Sequence, residues 1–354
     1  MQIDVLIIGQ GISGTFLSHY LQDEGKTCIV LDDNYRNAPS RMAAGLINPV
    51  TGRRLVTVWM VEELFPFAWK AYQDIGHQLG ITAISHRNII DFFPNPFMRE
   101  NFLQKIESGD THVQSYPEQN HFNHLFNYEF GCGEIKPVYT VHLETLLPAW
   151  REYLAKNGML REETFELDEL QVMENGIRYR DINASKIVFC DGTASFGNPY
   201  FKQLPFAPNK GESLIVEIPG LPPHNVYKKS MTIVPLAETD MFWVGASYIW
   251  DFENASPTEE FLESTNEVLK HWLKIPFRVI EHRSGLRPAT LERRPFVGFH
   301  PVHPSIGLLN GMGTKGCSLA PYFAKQLTDN FVHDAPIEKA ADIKRFTRIL
   351  SQVK

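Results

Sequence analysis

No run in this chain approaches the roughly 20 consecutive apolar residues needed to cross a bilayer, so no membrane span is expected. The first strand-like run already includes Ile3, which leaves no room for the basic and apolar segments of a secretory signal. Cysteine is sparse. Cys28, Cys132, Cys190 and Cys317 are scattered and form no CxxC pair, which argues against a disulfide framework or a zinc knuckle and fits a reducing cytoplasm. Basic excess is missing too: with a formal net charge of -7, nucleic acid is not expected as a partner. Histidine pairs occur at His121/His124 and His300/His303. Neither pair has a nearby carboxylate or third ligand at a recognisable spacing, so both read as surface and loop residues and no metal is expected. No internal repeat or low-complexity linker interrupts the chain.

What is present is an ordinary soluble globular composition, 43% apolar and 21% charged, over a chain long enough for two domain-sized units. It begins with "MQIDVLIIGQGISGTFLSHYLQDEGKTCIVLDD". The run "VLIIG" reads as a strand buried on both faces, the stretch from Ser13 to Gln22 as a helix with Phe16, Leu17, Tyr20 and Leu21 on one face, and "TCIVL" as a second buried strand. Gly9, Gly11 and Gly14 fall at the strand-to-helix turn. There Gly9 permits the tight turn, Gly11 lets backbone approach a pyrophosphate, and Gly14 lets helix and strand pack closely. The helix start at Ile12 and Ser13 offers unpaired N–H groups and the positive end of the helix dipole. Asp32, followed by Asp33, ends the second strand where a carboxylate accepts hydrogen bonds from an adenosine ribose and repels a 2′-phosphate. The unit predicts dinucleotide binding, with NAD and FAD both open.

Three later stretches share its character. "SRMAAGLINPVTGRR" clusters Ser40, Ala43, Ala44 and Gly45 just past the second strand, and a helix-like "VWMVEELFPFAWKAY" follows. "ASKIVFCDG" is an apolar strand ending at Asp191 and Gly192. "IGLLNGMGTKGCSLAPYFAKQL" runs a strand into Gly311, Gly313 and Gly316 and then a long helix. Between them, "SLIVEI", "MTIVPL" and "MFWVGASYIW" read as strands of an antiparallel sheet.

These motifs together resemble the FAD-dependent D-amino-acid-oxidase-like (DAO) superfamily, in the branch that contains glycine oxidase and sarcosine oxidase. The likeness runs nearly end to end and is carried by "GQGISG" with Asp32, "SRMAAG", "ASKIVFCDG", "SGLRPATLERRPFVG" and "NGMGTKG". It implies an α/β fold: a Rossmann-like FAD-binding domain of glutathione-reductase type, with a second, mainly antiparallel-sheet α+β substrate domain. The implied division is 1–75, 138–205 and 286–354 for the FAD domain and 76–137 and 206–285 for the substrate domain. FAD is expected to be held noncovalently by Gly9, Gly11, Ile12, Ser13, Gly14, Asp32, Asp33, Ser40, Arg41, Ala43, Ala44, Gly45, Asp191, Gly192, Arg287, Gly311, Gly313, Thr314, Lys315 and Gly316.

The resemblance also assigns chemistry. Hydride passes from a substrate C–H to flavin N5. The helix end at residues 313–316 and Lys315, where relatives often carry histidine, face the flavin N1 and C2 carbonyl region. Arg287 matches the arginine that binds a substrate carboxylate, a task suited to a planar two-pronged donor, and Tyr248 and Trp250 on a strand would line the pocket. Two departures stand out: Cys190-Asp191 replaces a small apolar pair, and Arg53-Arg54 would mark a second anionic group if they faced the cavity. The expected function is FAD-dependent oxidation of a small carboxylate-bearing amine, an amino acid or N-alkyl amino acid, with O2 or a carrier taking the electrons. The alternatives are a 2-hydroxy-acid dehydrogenase, a flavin domain acting on a carboxymethylamino group of modified tRNA, and a non-catalytic flavin-binding subunit. Substrate identity and oligomeric state are left open.

Overall fold

A computed structural model of the protein describes residues 1–35 and 37–352. The elements that build the site are, in chain order, β1 (Gln2–Ile8), α1 (Ile12–Asp23), β2 (Cys28–Leu31), α2 (Val61–Leu79), α3 (Leu143–Lys156), β3 (Ile182–Phe189), β4 (Asn209–Glu217), β5 (Met241–Gly245), α4 (Glu259–Trp272), β6 (Arg278–Arg287), β7 (Ile306–Asn310) and α5 (Gly316–His333). The continuous apolar runs become strands covered on both faces. β1 lies parallel between β2 and β3, β7 lies parallel beside β3, and Leu160–Arg161 adds a parallel edge beyond β2. α1, α2, α3 and α5 pack in one core with one face of this sheet, and a second apolar cluster fills the other face. α1 is not the one-faced helix that its periodicity suggests. Every residue from Ile12 to Leu21 is buried, because the sheet, α3 and α5 enclose it.

The second large sheet runs in the order β6, β4, β5, Thr232–Pro235, Val226–Lys228, Ile89–Phe92, Cys132–Ile135 and Val113–Ser115. It is antiparallel as expected, except that Val226–Lys228 pairs parallel with Ile89–Phe92. Alternation gives it two different faces. Leu214, Val216, Phe242 and Val244 pack under α4 with Trp272. Ile215, Val234 and Trp243 take the other face, and Ala44 and Leu46 lie against them. That second face is thus laid against the "SRMAAG" loop. The Trp243 indole N–H donates to the Met42 carbonyl at 3.0 Å. A Cβ at Gly285 would meet Met42 Cγ at 3.1 Å.

One expectation changes here. β5 ends at Gly245, so Tyr248 and Trp250 lie in the loop beyond it rather than on a strand. Among the described residues no helix is long and apolar enough to cross a membrane.

Candidate active site at the carboxyl edge of the parallel sheet

Four strand ends meet along one edge. Ile8 pairs with Leu31 and with Phe189, and Phe189 pairs with Leu308. Gly9, Asp32, Asp191 and Gly311 therefore leave the sheet side by side, where a doubly wound sheet opens its ligand crevice. Gly9 turns with φ +98°, and a Cβ there would lie 2.7 Å from the Cys190 carbonyl oxygen. At Gly14 a Cβ would lie 1.9 Å from the Gly9 carbonyl oxygen, so only glycine lets α1 sit this close to the turn. α1 begins after Gly11 and α5 after Lys315, each without a side-chain cap, whereas Thr258 caps α4 by accepting the Phe261 N–H. Apart from the Ile12 N–H, which Ser40 takes, the two glycine-turn helices keep their first N–H groups free of side-chain caps at the crevice, and backbone donors there suit phosphate or a developing anion.

The β2 end of the crevice is held by paired charges. Asp32 Oδ2 accepts the Gln10 N–H at 2.8 Å, and Oδ1 accepts the Asn34 N–H at 2.9 Å and Arg151 Nη1 at 2.6 Å. Arg151 reaches from α3, where it is buried, and also contacts the Asp32 carbonyl at 3.2 Å and Glu162 at 3.4 Å. Asp33 is exposed and accepts the Tyr35 N–H. Ser40 Oγ accepts the Ile12 N–H at 3.1 Å, tying the short helix Pro39–Met42, with Arg41, to the first glycine turn. Ser13 is buried behind that turn. Ala43 is exposed and Ala44 packs toward the second sheet. Gly45, at φ +71°, presses so closely on Val141 that a Cβ would lie 2.0 Å from its carbonyl oxygen.

Asp191 belongs to a buried cluster that the sequence did not reveal. Ser195 Oγ donates to its carboxylate, and Asn310 Nδ2 donates to Ser195 Oγ at 2.9 Å and to the Gly192 carbonyl at 2.7 Å. Burial pushes the Asp191 carboxyl up to about 7.

The other end carries cations without carboxylates. Arg287, at the end of β6, donates from Nη1 to Asn209 Oδ1 at 2.6 Å, the Ser247 carbonyl at 3.1 Å and the Lys210 carbonyl at 3.4 Å. The Tyr248 ring stands 4.6 Å from its guanidinium carbon. Burial lowers the Arg287 pKa. Lys315 is half-buried at the α5 start and donates to Asn48 Oδ1 at 2.7 Å; desolvation of the amine brings it down to about 8. Among the described residues neither cation lies within 4.0 Å of a carboxylate oxygen. The two share one loop system, since the Gly313 N–H bonds the Pro288 carbonyl. Thr314 is exposed beside them.

Other expected residues fall elsewhere. Tyr248 and Trp250 are each 61% exposed, so neither lines an enclosed wall, although Tyr248 keeps its contact with Arg287. Arg53 and Arg54 are exposed in the turn between Val50–Thr51 and Val56–Thr57 and give no support to a second anionic group. His300 is buried, not superficial. Its Nδ1 accepts the Val302 and His303 N–H groups, and burial with His303 nearby lowers it to about 4, so it braces a turn as a neutral ring. Glu24, Asp329 and His333 form an acid–histidine cluster, and the Lys325 ammonium already bridges both carboxylates.

Residues 4–330 match the family model described as FAD dependent oxidoreductase, DAO. The chain belongs to this FAD-dependent oxidoreductase family. It is 26% identical over 352 residues to the glycine oxidase of Bacillus subtilis (strain 168), covering 92% of each. In fold it is similar to the glycine oxidase of Bacillus cereus ATCC 14579, at TM-score 0.79 with 18% identity over 96% of this chain and 99% of that one. It is also similar to the iminodiacetate oxidase of Chelativorans sp. BNC1, at TM-score 0.75 with 20% identity over 97% and 98%. As a DAO-family flavoprotein the enzyme uses FAD. The site fits that group on its own terms. Two helix N-termini, a glycine turn that a methyl group would close, and a carboxylate at the β2 end occupy one edge.

Proposed function

We propose that this enzyme of the amino-acid and amine oxidoreductase family oxidises a small amine bearing a carboxylate, an amino acid or an N-alkyl amino acid. The observation that carries this reading is Arg287: a partly buried guanidinium whose protein partners are all neutral oxygens. An unpaired buried charge costs several kcal/mol, so it is kept where a ligand supplies the opposite charge. Nη1 is tied to the protein, which leaves the Nε and Nη2 edge for a carboxylate in two parallel hydrogen bonds. FAD, when bound, supplies the hydride acceptor at N5. Arg287 orients the substrate by its carboxylate, and the α5 N-terminus with Lys315 supplies positive potential to charge that develops across the site.

One observation favours a second reading, a 2-hydroxy acid: the half-buried Lys315 amine is lowered to about 8, so above that pH it is neutral and can accept the hydroxyl proton that alcohol oxidation must remove. Anaerobic bleaching of the bound flavin against amino, N-methyl amino and hydroxy acids separates the two, with methyl esters run alongside. The proposal expects amino or N-methyl amino acids to bleach and their esters to fail. Bleaching by hydroxy acids alone supports the second reading, and equal bleaching by the esters overturns both.

FAD is taken to be noncovalent, because all four cysteines are buried and burial pushes the Cys317 thiol, beside the second glycine turn, up to about 12. Acid precipitation should leave all the yellow colour in the supernatant. The cytoplasmic placement rests on the same unpaired cysteines. The two-domain division is kept with its last boundary moved from 286 to 288, since β6 continues through Arg287 in the second sheet.

A further inference from the structure

We propose that Gly211 and Asn209 are positioning residues that set the pose and preserve the charge of Arg287; this rests on the carboxylate-clamp reading. Both lie on β4 opposite the end of β6, where Asn209 pairs with Arg287 and Gly211 with Gly285. A Cβ at Gly211 would lie 1.9 Å from Arg287 Nη2, 2.1 Å from Cζ and 2.4 Å from Nη1. The guanidinium therefore lies flat on the bare backbone of Gly211, with the Tyr248 ring on the guanidinium at 4.6 Å. Gly211 does not have the positive φ that requires glycine. Inside a strand, glycine weakens the sheet, so the missing side chain serves the close approach of the arginine.

Asn209 makes the complementary choice. It is buried, its amide nitrogen donates to the Ile249 carbonyl at 3.0 Å, and its Oδ1 takes Arg287 Nη1. An aspartate has the same shape and would hold the guanidinium more strongly, but it would cancel the charge that a substrate carboxylate needs. The same strand uses a carboxylate on its other face, where Glu212 pairs with Lys210 at 3.3 Å and His282 at 2.9 Å. Ionic pairing is thus available to β4, and it is absent where the clamp lies.

The test is acetate binding to the FAD-loaded enzyme, followed by flavin absorbance and independently by the acetate-induced rise in melting temperature. Gly211→Ala makes its closest contacts with the far end of the Arg287 side chain and not with backbone, so it should keep wild-type FAD content and near wild-type melting while weakening acetate at least tenfold. Asn209→Asp keeps the size and the Arg287 contact but loses the donor to the Ile249 carbonyl, so its melting temperature is read alongside; it should weaken acetate to a similar extent by occupying the charge. Arg287→Met is the reference for a lost clamp. If Gly211→Ala folds and both it and Asn209→Asp bind acetate within twofold of wild type while Arg287→Met does not, the positioning proposal is wrong and the clamp stands. Should Gly211→Ala fail to fold, Asn209→Asp decides alone. Acetate binding that survives Arg287→Met, or is missing from the wild type, removes the clamp and this proposal with it.

Discussion

The two ends of the crevice handle charge in opposite ways. At the β2 end Asp32 is fastened to Arg151 at 2.6 Å, with Glu162 behind it. At the other end Arg287 and Lys315 rest on the amide oxygens of Asn209 and Asn48. Paired charges hold themselves in place, and a ligand joins them as an additional acceptor or donor. Cations on amides hold their direction without being neutralised, so the cost of burying them is offset only when an anion arrives. One end is therefore built to be complete without its ligand, and the other is not.

That contrast can be broken at several points. The largest effect is expected at the paired end. Asp32→Ala strands a buried arginine beside a mostly exposed glutamate, which should cost about 3–5 kcal/mol of stability in urea denaturation and weaken FAD as well. If stability is unchanged, the pair is not what fastens that end. Removing a cation from the unpaired end should do the reverse. Lys315 has a native pKa of about 8 against 10.5 in the unfolded chain, so between those values the unfolded state binds more protons and stability rises with pH. Across the window the rise amounts to about 3 kcal/mol. Lys315→Met should abolish it in flavin-free protein and be more stable than wild type at neutral pH, as read from denaturation at a series of pH values. A wild-type curve that falls over this range, or a variant that follows it, would show that Lys315 is not held uncompensated. The smallest effect is expected for Arg287→Met, whose stability should change by no more than about 1 kcal/mol in either direction, because the relief of an uncompensated charge is set against the buried Asn209 Oδ1 losing its donor. A loss as large as that of Asp32→Ala would mean Arg287 is structural.

Much of the parallel sheet was legible because strands buried on both faces read as continuous apolar runs, and the glycines at their ends mark turns that admit no side chain. Arg287 and Lys315 stand out in the sequence only through resemblance. The residues that hold them do not, since Asn48 meets Lys315 across 267 positions and Asn209 meets Arg287 across 78, and no local pattern records such contacts. Two signals were present and unread. Gly211 interrupts an otherwise good strand in "NKGESLIVE", and Arg151 stands on the apolar face of α3 among Leu147, Trp150 and Leu154. Tyr248 and Trp250 were misplaced for a different reason. Their aromatic run suits a strand, but after Gly245 the Ser247 and Ile249 backbones bond to β4 at Glu212 and Lys210 outside the regular ladder.

The most direct measurement is stopped-flow reduction of the bound flavin by whichever acid bleaches the wild type, repeated with Arg287→Lys. Lysine keeps the charge and loses the two-pronged geometry, so the acid should bind about 2–4 kcal/mol more weakly and reduce the flavin more slowly, with FAD content unchanged. Reduction as fast and as tight as in the wild type would contradict a guanidinium held unpaired to receive a carboxylate.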